Sequence, residues 1–432
     1  MTDDVLDLAD RLWRGEVDIV EVHPVGGYLG GLAEVHPDVA FVPSFANVSA
    51  FETDDGLVLV DTGSSFVAAA VHEVVRGWSA GRLHTAVYSH GHIDHVFGLP
   101  AWEEEAAERG WAAPVVVSHE GVPARFDRYI ATAGYNAVIN QRQFGVPGLR
   151  WPTEYRYPDR TYASTLDLDV GGRHFVLHHA RGETDDHTWT WVPDRRTVCC
   201  GDLFIWASPN AGNPQKVQRY PREWADALRA MLALEPEVLL PGHGFPVVGA
   251  DRVRQALADT AELLDALVDQ TVALMNAGAR LDEVVHAVTP PPHLLDRPYL
   301  RPVYDEPEFV VRNVWRLYGG WWDGNPATLK PAPEAAVAAE LADLAGGAGV
   351  LADRAAALLE AEDGEGGGPG VALRLAGHLA ELAALAAPGD AGVHRVRTAV
   401  FARLAAEATS TMATGVFTWA ARESEERAGP PS

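Results

Sequence analysis

The period of the apolar positions changes near the middle of the chain. Val5, Leu6, Leu8, Ala9, Leu12 and Trp13 recur at helical spacing and are followed by a Gly-rich stretch. From Val39 the pattern tightens into short apolar runs. Strands are expected over 38–42, 47–51 and 56–61, the last entered through the turn Asp54-Asp55-Gly56. A helix near 66–75 leads to a further apolar run, 85–88. A helix over 101–109, a strand over 114–118 and one long helix over 122–144 come next. Strands are then expected over 166–170, 173–179, 188–192 and 197–201, with another starting near Glu237. After Gly249 the pattern is helical. Val253, Leu257, Ala261, Leu264, Val268 and Met275 form a stripe along 251–277, and shorter helices follow over 281–288 and 309–318. The Ala/Leu-rich remainder, 333–425, is broken by a Gly-rich loop over 363–370. This predicts an α+β protein: a strand-rich domain over 1–250, an all-α domain over 251–425 and a disordered tail over 426–432.

Polar residues cluster where the apolar runs end. The run 85–88 is followed by Ser89-His90-Gly91-His92-Ile93-Asp94-His95. Three imidazoles and a carboxylate just past a strand end suit a divalent cation such as zinc, manganese or iron. A bound cation lowers the pKa of water so that hydroxide exists near neutral pH. Asp61, Glu183, Asp202 and His243 lie just after other predicted strands. On the predicted helix 122–144, Asn136, Asn140 and Gln143 share one face, with Arg142 beside them. That face is either solvated or the lining of a pocket that holds a polar substrate head.

Composition narrows the partners. The 432 residues carry 60 acidic and 34 basic side chains, a net charge of −26. That argues against nonspecific binding to nucleic acid or to an anionic membrane. It leaves room for an anionic small substrate in a locally positive pocket. The acidic N-terminus has no apolar core of a secretory signal and no run is long enough to span a bilayer, so the expectation is a cytoplasmic protein. Adjacent Cys199 and Cys200, the only cysteines, cannot make a disulfide framework.

The H-x-H-x-D-H spacing, with the carboxylates and histidine that follow in order after strands, resembles the metallo-β-lactamase superfamily. The resemblance implies an αββα sandwich with one or two metals at its rim. It implies that His90, His92 and Glu183 hold one metal and Asp94, His95 and His243 the other, with Asp202 between them. Asp94 and Asp202 are then the catalytic carboxylates, and Asp61 supports the metal loop from behind. Glu183 stands where many members have a histidine, which makes the site harder and leaves zinc first, with manganese or iron as alternatives.

The second half resembles the alkyl sulfatase family and its dimerisation domain. The resemblance is carried by 268–278, by Arg297-Pro298-Tyr299-Leu300-Arg301-Pro302 and by Gly319-Gly320-Trp321-Trp322-Asp323-Gly324-Asn325-Pro326. It implies a homodimer through the helical domain and hydrolysis of a sulfate ester. Asn136, Asn140, Arg142, Lys216, Arg219 and His187 are the implied substrate-binding residues. The family's sulfatases usually bridge the metals with a glutamate, and its secreted members also have a signal peptide and a third, lipid-carrier-like domain. This sequence departs on each point, which favours a smaller or secondary sulfate, or another anionic ester, over long-chain detergent sulfates. Competing readings are a superfamily hydrolase of a lactone, thioester or phosphoester, a dinuclear-iron oxygen-handling enzyme, and a non-catalytic scaffold.

Overall fold

The computed structural model describes residues 5–22, 31–360 and 370–429. A seven-stranded sheet contains β1 (Ala33–His36), β2 (Val39–Val42), β3 (Val48–Thr53), β4 (Gly56–Val60), β5 (Leu83–Val87), β6 (Val115–His119) and β7 (Arg160–Tyr162) in that order. The pairs from β1 to β4 are antiparallel and those from β4 to β7 parallel. A six-stranded sheet is built from β8 (Thr165–Val170), β9 (Arg173–Ala180), β10 (His187–Val192), β11 (Thr197–Ile205), β12 (Val238–His243) and β13 (Val247–Val248), ordered β13-β12-β11-β10-β9-β8.

Strand alternation makes the layers. On β2 and β4, Val39, Phe41, Val58 and Val60 enter the core shared with the second sheet, where Phe51 meets Phe175 edge to face at 5.4 Å. Their neighbours Ala40, Val42, Leu57 and Leu59 point the other way, onto helices Ala68–Trp78, Leu99–Arg109 and Gly121–Ala131. Two faces buried on opposite sides of one strand require helix, sheet, sheet and helix in sequence. Helices Pro221–Leu232 and Ala250–Asn276 close the outer side of the second sheet. The expected αββα sandwich is therefore the observed one.

Several expectations need correcting. The predicted helix 122–144 breaks at Thr132, whose hydroxyl donates to the carbonyl of Arg128 at 2.8 Å and whose backbone leaves helical geometry. Helices Gly121–Ala131 and Ala133–Phe144 result. The division of the chain by contacts differs from the expected boundary at 250. One unit covers 1–133 and 152–321 and a second covers 134–151 and 322–432. The stripe on Ala250–Asn276 explains this. Val253, Leu257, Ala261, Leu264 and Val268 are buried with Trp224 and Leu228 of one helix and Val310 and Val314 of another, all in the first unit. They are covered within the chain and are not available to a second copy.

The second unit is an all-helical assembly of Glu334–Ala345, Ala348–Leu359, Val371–Ala386, Ala391–Glu407 and Thr411–Ala428, together with the 134–151 segment. Small residues such as Ala352, Ala376, Ala380 and Ala383 fill its cores. Backbones approach closely at Gly415, where an added Cβ would lie 2.2 Å from the carbonyl oxygen of Gln143. Residues 426–428, expected in a disordered tail, complete the last helix; 430–432 and most of the predicted loop 363–370 lie outside the described residues.

Candidate metal centre

Strand ends place the ligands. His90 follows β5, His92 precedes the short helix Ile93–Val96, and Glu183 lies in the β9–β10 loop. Asp202 sits in β11 beside a register shift, and His243 ends β12. Gly242 must be glycine for Asp202 to fit, because a Cβ there would lie 2.1 Å from its Oδ1. Two groups of potential ligand atoms result, His90, His92, Glu183 and Asp202 in one and Asp94, His95 and His243 in the other.

Asp202 faces both groups. Its Oδ2 is 3.7 Å from His90 Nε2 and 3.4 Å from His243 Nε2, and its Oδ1 is 3.4 Å from His95 Nε2. Glu183 Oε2 is 3.4 Å from His92 Nδ1 and 3.7 Å from His90 Nε2.

The outward-facing atoms are held by protein groups. His90 Nδ1 donates to Ser89 Oγ at 3.0 Å, and that hydroxyl donates to Asp61 Oδ2 at 2.7 Å. His95 Nδ1 donates to the same oxygen at 2.8 Å, and His243 Nδ1 to the carbonyl of Phe45. Asp61 thus supports the loop as expected, and does so with a left-handed backbone, φ 60°, a strain that persists only where its surroundings enforce it. Glu183 Oε1 accepts from Asn210 at 2.7 Å and pairs with Arg219 at 2.5 Å. In contrast, the inward His95 Nε2, Glu183 Oε2 and Asp202 Oδ1 are buried without a hydrogen-bond partner among the described residues. Orphaned lone pairs converging from fixed rings and carboxylates are the donor set a divalent cation requires. The residues fit the metals that the sequence implied.

Electrostatics agree. Burial, reinforced by neighbouring cationic groups, drives His90 and His92 well below the usual imidazole range, and His90 Nε2 lies 2.7 Å from His92 Nδ1. Burial opposes the charged form of His95 and His243 too, but Asp202 and other nearby carboxylates outweigh it and raise both. Burial pushes Glu183 up to about 7 against the pull of Arg219, while His243 and His95 hold Asp202 well below the carboxylate range despite burial. A cation that replaces these protons will release them on binding.

Two expected substrate residues have other partners. His187 is fully buried and accepts from the backbone N–H of Asp202 at 3.1 Å, with its ring stacked on His90 at 4.8 Å. It positions ligands from behind. Arg219, 2% exposed, is paired with Glu183 and also donates to its carbonyl. Lys216 is half-buried. Burial and Arg219 bring its ammonium down to about 8, and Glu183 and Asp94 act on it with opposite sign. Asn136, Asn140 and Gln143 are buried, which excludes a solvated face, and Asn140 Nδ2 donates to the carbonyl of Asn136 at 2.8 Å. With Arg142 they belong to the second unit, whereas the metal cluster belongs to the first.

Sequence reasoning missed several residues. Arg125 Nε donates to Asp186 Oδ2 at 2.6 Å, and that oxygen accepts from Gly91 N–H at 3.2 Å, bracing the metal loop. The Tyr304 phenol is raised by burial and by Asp94, Glu183 and Asp202. It lies two residues past the recognised 297–302 segment, the only signal that could have found it. Asn210, Asp305 and Asn313 carried no signal.

A sandwich with this centre at its strand ends is matched, over residues 42–243, by the model of the metallo-beta-lactamase superfamily. Residues 280–427 match the model of the alkyl sulfatase dimerisation family. It is 29% identical over 318 residues to a linear primary-alkylsulfatase of Pseudomonas sp., covering 68% of this chain and 60% of that protein. It is 27% identical over 363 residues to an (R)-specific secondary-alkylsulfatase of Pseudomonas sp., covering 78% and 55%. The solved structure of the stereoselective inverting sec-alkylsulfatase Pisa1 from Pseudomonas sp. superposes with a TM-score of 0.81 at 24% identity, over 93% of this chain and 66% of that one. The chain thus spans somewhat over half the length of these curated relatives.

Proposed function

We propose that this protein is a metal-dependent hydrolase of sulfate esters, acting on a small or secondary alkyl sulfate. The observation that supports this most is the convergence of partnerless inner ligand atoms, in a chain whose relatives bear alkylsulfatase names. His90, His92 and Glu183 would hold one divalent cation, Asp94, His95 and His243 a second, and Asp202 would lie between them. Zinc is our first assignment, ahead of manganese or iron, from the mixed imidazole and carboxylate donors. When bound, the cations supply an acidified water and a concentration of positive charge.

The protein's own groups do the rest. Asp61 and Ser89 fix the rings, and Lys216 offers an ammonium to an anionic head. We assign Asn136, Asn140 and Arg142 to substrate binding on the family resemblance of their helix. Two copies would associate through the helical region, as the 280–427 match supports, and light scattering at micromolar concentration checks this. We place the protein in the cytoplasm, consistent with its two free buried cysteines. No single described helix is long and apolar enough to cross a membrane.

The test is a panel of sulfate, phosphate and carboxylate esters with the metal-loaded enzyme. Sulfate release from a short secondary alkyl sulfate is expected, and release from none of the sulfate esters would refute the assignment. Arg142→Ala should lower kcat/KM by roughly ten- to a hundredfold with metal content unchanged, since a charged hydrogen bond to a desolvated anion is worth about 1.5–3 kcal/mol. Parent-like activity in that variant would put the sulfate pocket elsewhere.

A further inference from the structure

Both outer supports of Glu183 are themselves held from one segment, 305–313. The first is Asn210, which donates to Glu183 Oε1 at 2.7 Å. Its loop is fixed two residues on, where the N–H of Gly212 donates to Asp305 Oδ2 at 2.6 Å; Asp305 is fully buried. The second is Arg219. Here Asn313, on the helix Pro307–Gly319, grips the backbone of Arg219 from both sides. Asn313 Nδ2 donates to the Arg219 carbonyl at 3.0 Å, and Asn313 Oδ1 accepts from the Arg219 N–H at 3.3 Å. The same oxygen accepts from Gln218 Nε2 at 3.0 Å, and Gln218 Nε2 also reaches the Asn313 carbonyl at 3.1 Å. Arg316, one turn on, donates to Gln218 Oε1 at 2.9 Å.

An amide side chain serves here as a strand neighbour would, satisfying the backbone donor and the backbone acceptor of one residue. The carboxamide of asparagine carries a donor and an acceptor side by side on one carbon. Arg219, Asn313 and Glu183 are respectively 2%, 4% and 2% exposed, so each is locked by its neighbours and not by water. The guanidinium reaches Glu183 from a backbone whose position Asn313 sets. Glu183 Oε2, the atom turned to His90 and His92, can point inward only while Oε1 is held outward.

We propose that Asn313 is a positioning residue for Glu183, acting through Arg219, so that a helix outside the metallo-beta-lactamase segment sets how tightly one of the two cations is held. This rests on reading the cluster as a metal centre. Partners of metal ligands typically change affinity by about 10–100-fold when removed. Asn313→Ala should therefore weaken one zinc site about tenfold and leave the other at its parent value.

The measurement is competition with a chromophoric zinc chelator, together with the absorption spectrum of the cobalt-loaded protein, which reports ligand geometry apart from activity. Because Asn313 acts through Arg219, Asn313→Ala combined with Arg219→Gln should bind zinc no more weakly than Arg219→Gln alone. Additive losses, or parent affinity in Asn313→Ala, would overturn the proposal while the metal centre stands. A parent that binds no zinc takes down the centre and this inference together. Should Asn313→Ala lose its circular-dichroism signature, Asn313→Asp carries the test. It keeps the acceptor but replaces the donor with a carboxylate oxygen that faces the Arg219 carbonyl, so a loss of affinity is again expected and parent affinity overturns the proposal.

Discussion

At the scale of single residues, the centre holds the outward atoms of His90, His95, His243 and Glu183 with protein groups and leaves the inward His95 Nε2, Glu183 Oε2 and Asp202 Oδ1 unsatisfied. Lys216 differs, since no metal-ligand role holds it and its charge is marginal. With its ammonium brought down to about 8 by burial and by Arg219, it is charged at neutral pH and loses its proton as pH rises through that value. Attraction for an anionic ester is then present below pH 8 and lost above it. KM for a sulfate ester should rise through pH 8–9, Lys216→Met should raise KM at pH 7 and flatten this limb, and Lys216→Arg should move the limb beyond the working range. A KM profile for Lys216→Met that still climbs like the parent's would detach Lys216 from the substrate. The metal ligands were legible because their spacing is local and strand ends carried them in order. The supports of Glu183 were not, because Asn313 is an ordinary mid-helix residue until the fold brings it to Arg219, 94 positions earlier.

At the scale of elements, the helix Ala250–Asn276 shows what periodicity can and cannot tell. Its stripe announced a covered face, and the face is covered, but the covering is Pro221–Leu232 and Pro307–Gly319 of the same unit. A pattern of spacing carries no label for its partner, so a boundary at 250 falls between the two family matches but not between the contact units. Leu264, fully buried in that face, gives the check. Leu264→Ala should cost about 2–5 kcal/mol of unfolding free energy by lost burial and residual cavity, read by urea denaturation at low protein concentration. A cost under 0.5 kcal/mol would mean that the face is not packed as described. The broken helix at Thr132 has a similar lesson: an unbroken propensity pattern does not reveal a hydroxyl that bonds back to its own turn.

At the scale of the whole molecule, the strand-rich half followed by a helical half was readable from the change in period, and the two family matches fall on those halves. The contact units do not. The segment 134–151 lies early in the chain, yet packs with helices more than 180 positions later. The expected substrate amides on it therefore depend on the C-terminal helices for their own placement, a dependence no local pattern could show. The strongly negative net charge, −26, bears on substrate capture. Long-range attraction of an anion is ruled out, and the local cations must act at contact distance.

The ligands run from His90 to His243 and come from the ends of strands in both sheets. A ribosome must release the whole of β12 before the last of them exists, and the two sheets must close before the inward atoms meet. A cation held by these residues would then be a latecomer to folding and not its nucleus. Closing loops of that length dominates the barrier, while the metal contacts form after it. Zinc should then leave the refolding rate of the apoprotein unchanged and slow unfolding only, adding about 2.7 kcal/mol of stability at a hundredfold excess over Kd for each site. Stopped-flow refolding with and without zinc distinguishes the cases. Faster refolding in zinc would mean that the histidine loop gathers its cation while the sheets are still apart.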